Sequence, residues 1–233
     1  VMVTNARGVF DRAMAEYVLG MMLAQAKDLP HTLELQANRD WQHRLTETLH
    51  RRKVVIFGVG SIGREIARML KAVGMQVAGV GRTARENDVD FGTIHSKAAG
   101  AELVREASWV IGVLPATTET AGYFDAEFFA NMAPSARFIN IGRGAAVEEP
   151  ALIDALTSGA IAGASLDVFA NEPLPENDPF WSVPNLIVSP HMSGDYHGFE
   201  EDLVQVFADN LQRYQKAEVL ANLVDKKLGY AAS

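Results

Sequence analysis

The chain has 233 residues, 48% hydrophobic and 21% charged, proportions that suit an ordinary globular protein with one large core or two modest ones. With a net charge of −8 and no basic run longer than Arg51–Lys53, it offers no basic face, and no nucleic-acid partner is expected. It has no cysteine for a disulfide or a thiolate metal site, no apolar run of membrane-spanning length, and no visible leader at Val1–Gly8; a cytoplasmic protein without membrane or metal partners is expected.

In chain order, Val1–Thr4 reads as a strand. It leads into a long helix, Asp11–Lys27, with Asp11 as its N-cap and Met14, Met21 and Met22 facing a packing partner. Six short runs rich in valine and isoleucine follow: Lys53–Phe57, Met75–Val80, Ser108–Val113, Arg137–Ile141, Ile161–Leu166 and Asn185–Ser189. Helical patterns separate them. Arg64–Val73 repeats apolar residues at helical spacing and stops at Gly74, and Pro150–Leu156 ends at Ser158-Gly159. Buried strands alternating with helices predict an α/β fold, a doubly wound parallel sheet over roughly residues 30–195. A last helix is expected from about Gly198 to Lys216, followed by the tail Ala221–Tyr230.

The segment Gly58–Gly63 reads GVGSIG, between the first strand and the first helix of the sheet. That context turns a glycine pattern into a dinucleotide cradle. Gly58 permits the tight turn, Gly60 lets backbone approach a pyrophosphate, and Gly63 allows close helix–strand packing. The N–H groups of Ser61 and Ile62 would meet phosphate at the positive end of the helix. An NAD site places an acid about 20 residues on, for the adenine ribose hydroxyls. Here the second strand ends in Gly81-Arg82-Thr83-Ala84-Arg85. Without that carboxylate nothing repels a 2′-phosphate, Arg82 and Arg85 add charge, and Thr83 adds a hydroxyl. NADP(H) is therefore expected in preference to NAD(H).

Two more strand ends carry chemistry. Arg143 lies between Gly142 and Gly144 after Arg137–Ile141, where small neighbours leave room for ligands. Its planar guanidinium can hold a carboxylate and polarise a carbonyl oxygen on which charge develops. His191 follows Asn185–Pro190 and can exchange a proton with that oxygen. It needs a carboxylate partner to fix its tautomer and favour its protonated form. His31, His43, His50, His95 and His197 lack such context and are expected to be solvated.

Taken together, the glycine fingerprint, IGRG (Ile141–Gly144), DVFANEP (Asp167–Pro173) and SPHM (Ser189–Met192) resemble the D-isomer-specific 2-hydroxyacid dehydrogenases, from Val3–Asn5 to near Tyr230. The resemblance implies a Rossmann-type NAD(P)-binding domain over residues 11–197, with its N-terminal crossover and dimer helix. Residues 1–10 would be the end of a flavodoxin-like substrate lobe missing here, and 198–233 the return to that lobe. Val1–Thr4 would then be an orphan edge strand, and the last helix would lack its packing partner. The resemblance also implies Arg143, Glu172 and His191 as the catalytic set, with Glu172 supporting His191. Leu114 and Pro115 would lie beside the nicotinamide ribose, Ile141 would line the cofactor, and Asp167 would approach the carboxamide, with a buried, hydrogen-bonded strand-end acid as the alternative for Asp167. Thr117 and Thr120 suit helix caps as well as ligands, and Asp195 and Tyr196 could line the pocket mouth. The expected activity is hydride transfer between NADP(H) and a small 2-oxo acid such as glyoxylate, hydroxypyruvate or pyruvate, in a homodimer. A dinucleotide-sensing corepressor of the same fold, or a cofactor-binding fragment without turnover, are the alternatives.

Overall fold

A computed structural model describes residues 1–226 and 230–231; the remaining positions of the expected C-terminal return segment lie outside the described residues. Eight strands form one sheet in the order β3-β4-β2-β1-β5-β6-β7-β8. These are β1 (Lys53–Phe57), β2 (Gln76–Val80), β3 (Arg85–Asp88), β4 (Gly92–His95), β5 (Trp109–Gly112), β6 (Arg137–Asn140), β7 (Gly163–Leu166) and β8 (Leu186–Val188). All neighbours run parallel except β3, which pairs antiparallel with β4. The order reverses at β1, so the gap between the C-terminal ends of β1 and β5 is the place where open α/β sheets take ligands.

Alternate residues of β1 show why the strands are apolar throughout. Val54 and Ile56 enter one core with Met14, Val18, Met22, Ile66, Leu70 and Ile111. Val55 and Phe57 enter the other, with Val110, Phe124, Phe129, Phe138 and Leu152. Successive strand side chains point to opposite faces, and helices cover both. The first face carries α1 (Asp11–Ala26) and α3 (Ser61–Ala72); the second carries α4 (Lys97–Glu106), α5 (Ala126–Ala130) and α6 (Glu149–Thr157). A short α2 (Leu29–Ala37) follows α1, and α7 (Phe199–Gln215) closes the helical order.

Several expectations change. All six anticipated strands form, but the polar hairpin β3–β4 and the helices α2, α4 and α5 add to them. Val1–Thr4 is not an orphan strand: Thr4 makes a single antiparallel bridge to Leu223, and the Val224 N–H donates to the Val3 carbonyl at 2.8 Å. Asp11 is not the N-cap. Phe10 holds that position without a side-chain cap, while Asp11 accepts the Ser61 hydroxyl at 3.1 Å. Met14 and Met22 are buried and Met21 packs at the edge of the same core. His95 is half-buried rather than solvated, at the end of β4. The last helix leaves Val204, Phe207, Leu211 and Tyr214 exposed along one side.

Candidate active site

The turn Gly58–Gly63 owes its shape to crowding by the chain itself. Gly58 has φ +110°, and a Cβ there would lie 2.5 Å from the Val113 carbonyl oxygen. A Cβ at Gly63 would lie 1.9 Å from the Gly58 oxygen, so α3 begins directly against β1. Gly60, by contrast, meets nothing within 4 Å. It faces open space at the N-terminus of α3, where no side chain caps the helix. The first-turn N–H groups, those of Ser61 and Ile62 among them, have no intrahelical partner and remain for an anion. The Ser61 hydroxyl is turned back to Asp11, and Ile62 packs on the core beside Val59. This cradle fits a dinucleotide pyrophosphate.

At the end of β2, a Cβ on Gly81 would come within 2.8 Å of Val59 Cγ2 and 3.1 Å of Ile94 Cγ2. A side chain at 81 would thus press on the methyl groups of Val59 and Ile94, which would have to shift to admit it. Arg82 and Thr83 are exposed, and Arg82 pairs with Glu119 at 3.5 Å. Arg85 stands on β3 and turns to Asp88 at 3.3 Å, within its own hairpin. Beneath the hairpin, Asp88 and Asp90, 6% and 5% exposed, are bound by Arg64 at 2.7 Å, with Arg68 on Asp90 at 2.7 Å. The Arg64 hydrogen bonds hold the Asp88 carboxyl well below its usual range. Burial opposes the charge of Asp90, but Arg68 and Arg64 prevail and hold it low too.

Leu114 packs on the core and its backbone closes on Gly142, where a Cβ would lie 2.6 Å from the Leu114 oxygen. Pro115 is exposed, and its carbonyl accepts the Thr120 hydroxyl at 2.5 Å. Thr120 also accepts the Thr117 N–H at 3.0 Å, so these threonines build a turn. The side chain of Ile141 is buried in the core under α1 and α3, so only its backbone can reach a cofactor.

Arg143 is exposed and its Nη1 donates to the Gly142 carbonyl at 2.6 Å. The glycines around it are required by the chain itself. A Cβ on Gly144 would lie 1.9 Å from the Phe169 carbonyl carbon, so Gly142 and Gly144 let the loop wedge between the ends of β5 and β7. Buried Asn140 pins the same loop, accepting from the Gly142 N–H at 3.1 Å and donating to the Arg143 carbonyl at 3.2 Å.

Glu172 and His191 meet beside it. Nδ1 of His191 lies 2.6 Å from Glu172 Oε2, and Glu172 Oε1 accepts the Phe169 N–H at 2.8 Å. Burial disfavours the Glu172 charge, but the bonds from His191 and Phe169 and the nearby charges of His191 and Arg143 outweigh it, holding its carboxyl below the ordinary range. An ionised carboxylate only accepts, so Nδ1 carries a proton toward Glu172 and Nε2 is the nitrogen of the half-exposed ring not taken up by that bond. His191 sits at φ +53°, left-handed backbone that costs a non-glycine residue about 1–2 kcal/mol.

Asp167 does not open to the cofactor cleft. It is 0% exposed, and its carboxylate accepts the Ser189 hydroxyl at 2.6 Å and the N–H groups of Met192 and Ser193 at 3.0 and 2.8 Å. The Ser189 hydroxyl also meets Tyr17 Oη, and burial pushes the Tyr17 phenol up to about 12. Sequence reasoning missed Tyr17 and Ser189; a hydroxyl two residues before the histidine was the available signal. Asp195 is exposed at the loop, and Tyr196 is tied to Asp202 at 2.5 Å. Among the described residues, no helix is long and apolar enough to cross a membrane.

A glycine-turn cradle at one side of the switch point and an arginine, a carboxylate and a histidine at the other define a nicotinamide-dependent oxidoreductase site. The profile of the D-isomer specific 2-hydroxyacid dehydrogenase, NAD binding domain, matches residues 19–193, and the chain belongs to this family. It is 33% identical to glyoxylate/hydroxypyruvate reductase A of Photorhabdus laumondii, over 93% of this chain and 68% of that protein. A crystal structure of a D-isomer specific 2-hydroxyacid dehydrogenase family protein from Aeromonas salmonicida superposes with TM-score 0.89 at 39% identity, covering 96% of this chain and 71% of that one. A D-isomer specific 2-hydroxyacid dehydrogenase from Xanthobacter autotrophicus Py2, crystallised with NADPH and MES, gives TM-score 0.88 at 33% identity, with 99% and 94% covered. The chain is thus an NAD(P)-dependent dehydrogenase of the 2-hydroxyacid type.

Proposed function

We propose that the protein reduces a small 2-oxo acid, of the size of glyoxylate, hydroxypyruvate or pyruvate, with NADPH preferred to NADH. The observation that carries the reading is the His191–Glu172 pair at 2.6 Å beside exposed Arg143, all at the C-terminal edge of the sheet that also holds the glycine turn. Bound reduced nicotinamide supplies the hydride. Arg143 then anchors the carboxylate and draws charge onto the carbonyl oxygen, and Nε2 of His191 gives that oxygen its proton. Glu172 orients the ring and balances its charge.

The preference for NADPH rests on Gly81, which brings no carboxylate and whose Cβ position is crowded by Val59 and Ile94, and on Arg82 next to it. The Arg82–Glu119 pair is exposed, of a kind that contributes about 0–1 kcal/mol. The likeness to a dehydrogenase crystallised with NADPH supports the preference. Trp41 and Leu45, 96% and 94% exposed on the arm after α2, are assigned to contact with a second copy of the chain. A fluorescence titration with NADPH and NADH in one buffer tests the cofactor reading. Tighter binding of NADPH, lost in Arg82→Ala, supports it; equal or tighter binding of NADH overturns it.

A further inference from the structure

We propose that Tyr17, Ser189 and Asp167 form a hydrogen-bonded rail that positions His191 against Glu172. The rail's polarity follows from its buried end. Asp167 is acceptor-only as a carboxylate, so the single proton of the Ser189 hydroxyl goes to it at 2.6 Å. Ser189 must then accept from Tyr17, whose hydroxyl is the donor at the far end. The same carboxylate takes the N–H groups of Met192 and Ser193. Its three partners therefore bracket His191 in sequence on both sides while leaving the imidazole to Glu172. A residue held at φ +53° needs such over-determination, because the unstrained backbone would turn the ring elsewhere.

The rail starts on α1, and α1 is also tied to the cofactor turn. Met14, Val18 and Met22 share a core with Ile66 and Leu70 of α3, and Asp11 accepts the Ser61 hydroxyl at the first residue of α3. Two turns beyond Tyr17, Gln25 donates to the Ala164 carbonyl at 2.7 Å and to Ser165 Oγ at 2.8 Å, both on β7. One helix thus registers the strand that carries Asp167, the loop that carries His191 and the helix that opens the phosphate turn. Tyr17 and Ser189 are positioning residues: they act through His191 and touch neither substrate nor cofactor.

The inference rests on His191 being the proton donor of the proposed reductase, so its test reads the ring directly as well as turnover. In the full chain, the Nδ1–H proton of His191 is followed by NMR, assigned by its loss in His191→Asn. Tyr17→Phe removes one oxygen and Ser189→Ala one hydroxyl, while Ser189→Thr keeps the hydroxyl. The expected result is that the Nδ1–H signal broadens or disappears in Tyr17→Phe and Ser189→Ala, persists in Ser189→Thr, and NADPH affinity stays unchanged. With a 2-oxo acid, kcat falls about tenfold in the first two variants while KM moves less than about threefold. A wild-type signal in both Tyr17→Phe and Ser189→Ala overturns the rail, and so does a loss that appears only together with lost NADPH binding. A chain that reduces no 2-oxo acid refutes the proposed function and leaves the ring signal to decide the rail.

Discussion

Replacing Gly81 by Asp puts a carboxylate where a 2′-phosphate would lie, and the structure sets both of its effects. The new Cβ would stand 2.8 Å from Val59 Cγ2 and 3.1 Å from Ile94 Cγ2. Val59 belongs to the glycine turn, so the single substitution strains the cradle, at about 1–3 kcal/mol by analogy with overpacked sites. Val59→Ala removes the nearer contact and is the partner variant. The electrostatic effect is separate. A unit charge roughly 5 Å from a doubly charged phosphate in a water-like dielectric is repelled by somewhat under 2 kcal/mol, which is on the order of tenfold in affinity. The double variant Gly81→Asp with Val59→Ala should therefore lose about tenfold for NADPH and hold or gain for NADH, whose ribose hydroxyls can donate to the new carboxylate. Parallel fluorescence titrations and a melting curve measure this. If both cofactors weaken equally while the fold stays intact, the loop after β2 does not read the phosphate and the reasoning fails.

Glu172→Gln keeps the shape of the His191 contact and removes its charge. A charge-assisted hydrogen bond contributes about 1.5–3 kcal/mol, so kcat for 2-oxo acid reduction should fall roughly tenfold to a hundredfold, with the NADPH dissociation constant unchanged; a wild-type kcat would remove Glu172 from the mechanism. Asp88 and Asp90 titrate below the ordinary carboxylate range in the fold. Depressed folded values stabilise above the unfolded pKa of about 3.9, and that contribution is lost as pH falls through the folded values. The melting temperature should drop steeply below about pH 4, and Asp88→Asn should flatten that slope while costing about 1–3 kcal/mol at neutral pH, because it weakens one of the two acidic partners of Arg64 and leaves Asp90 in place. Chemical unfolding of the variant at neutral pH and melting of both proteins at acid pH test this; an unchanged slope would show that the cluster is not what acid attacks.

The parts of the fold legible in the sequence are those where one physical rule acts alone. Strands covered on both faces carry no exposed polar side, so β1 and β5 stand out by their valine and isoleucine, while β6 and β7 are buried with one isoleucine and one leucine between them. The β3–β4 hairpin escaped because its residues, Arg85-Glu86-Asn87-Asp88, lie at a sheet edge and are held by Arg64 and Asp90 rather than by burial. In α4 only Gly100 and Val104 are buried, too few for a helical stripe to show. Arg143 and His191 can be singled out because each follows a strand end, whereas Glu172 is named only through the resemblance of Asp167–Pro173 to the family. The contacts of Gly142, Gly144 and Asp167 could not be read from the sequence for a common reason. What they touch, the backbones of Leu114 and Phe169 and the loop at Ser189–Ser193, comes from other strands, and Tyr17 reaches Ser189 across 172 positions of chain.

The strand order has an evolutionary consequence. Two strands, β1 and β5, separate β2 from β6, and three strand spacings amount to about 14 Å. The loop after β2 that bears Gly81 and Arg82 and the loops that bear Arg143, Glu172 and His191 therefore lie apart, linked through the segment after β5, where Glu119 pairs with Arg82 and the Leu114 backbone closes on Gly142. Substitutions at such a separation combine nearly additively. On the proposed roles, a lineage could exchange one electron carrier for another by substitution at one edge of the sheet while the other edge stays under separate selection, and an engineer could vary the two edges one at a time.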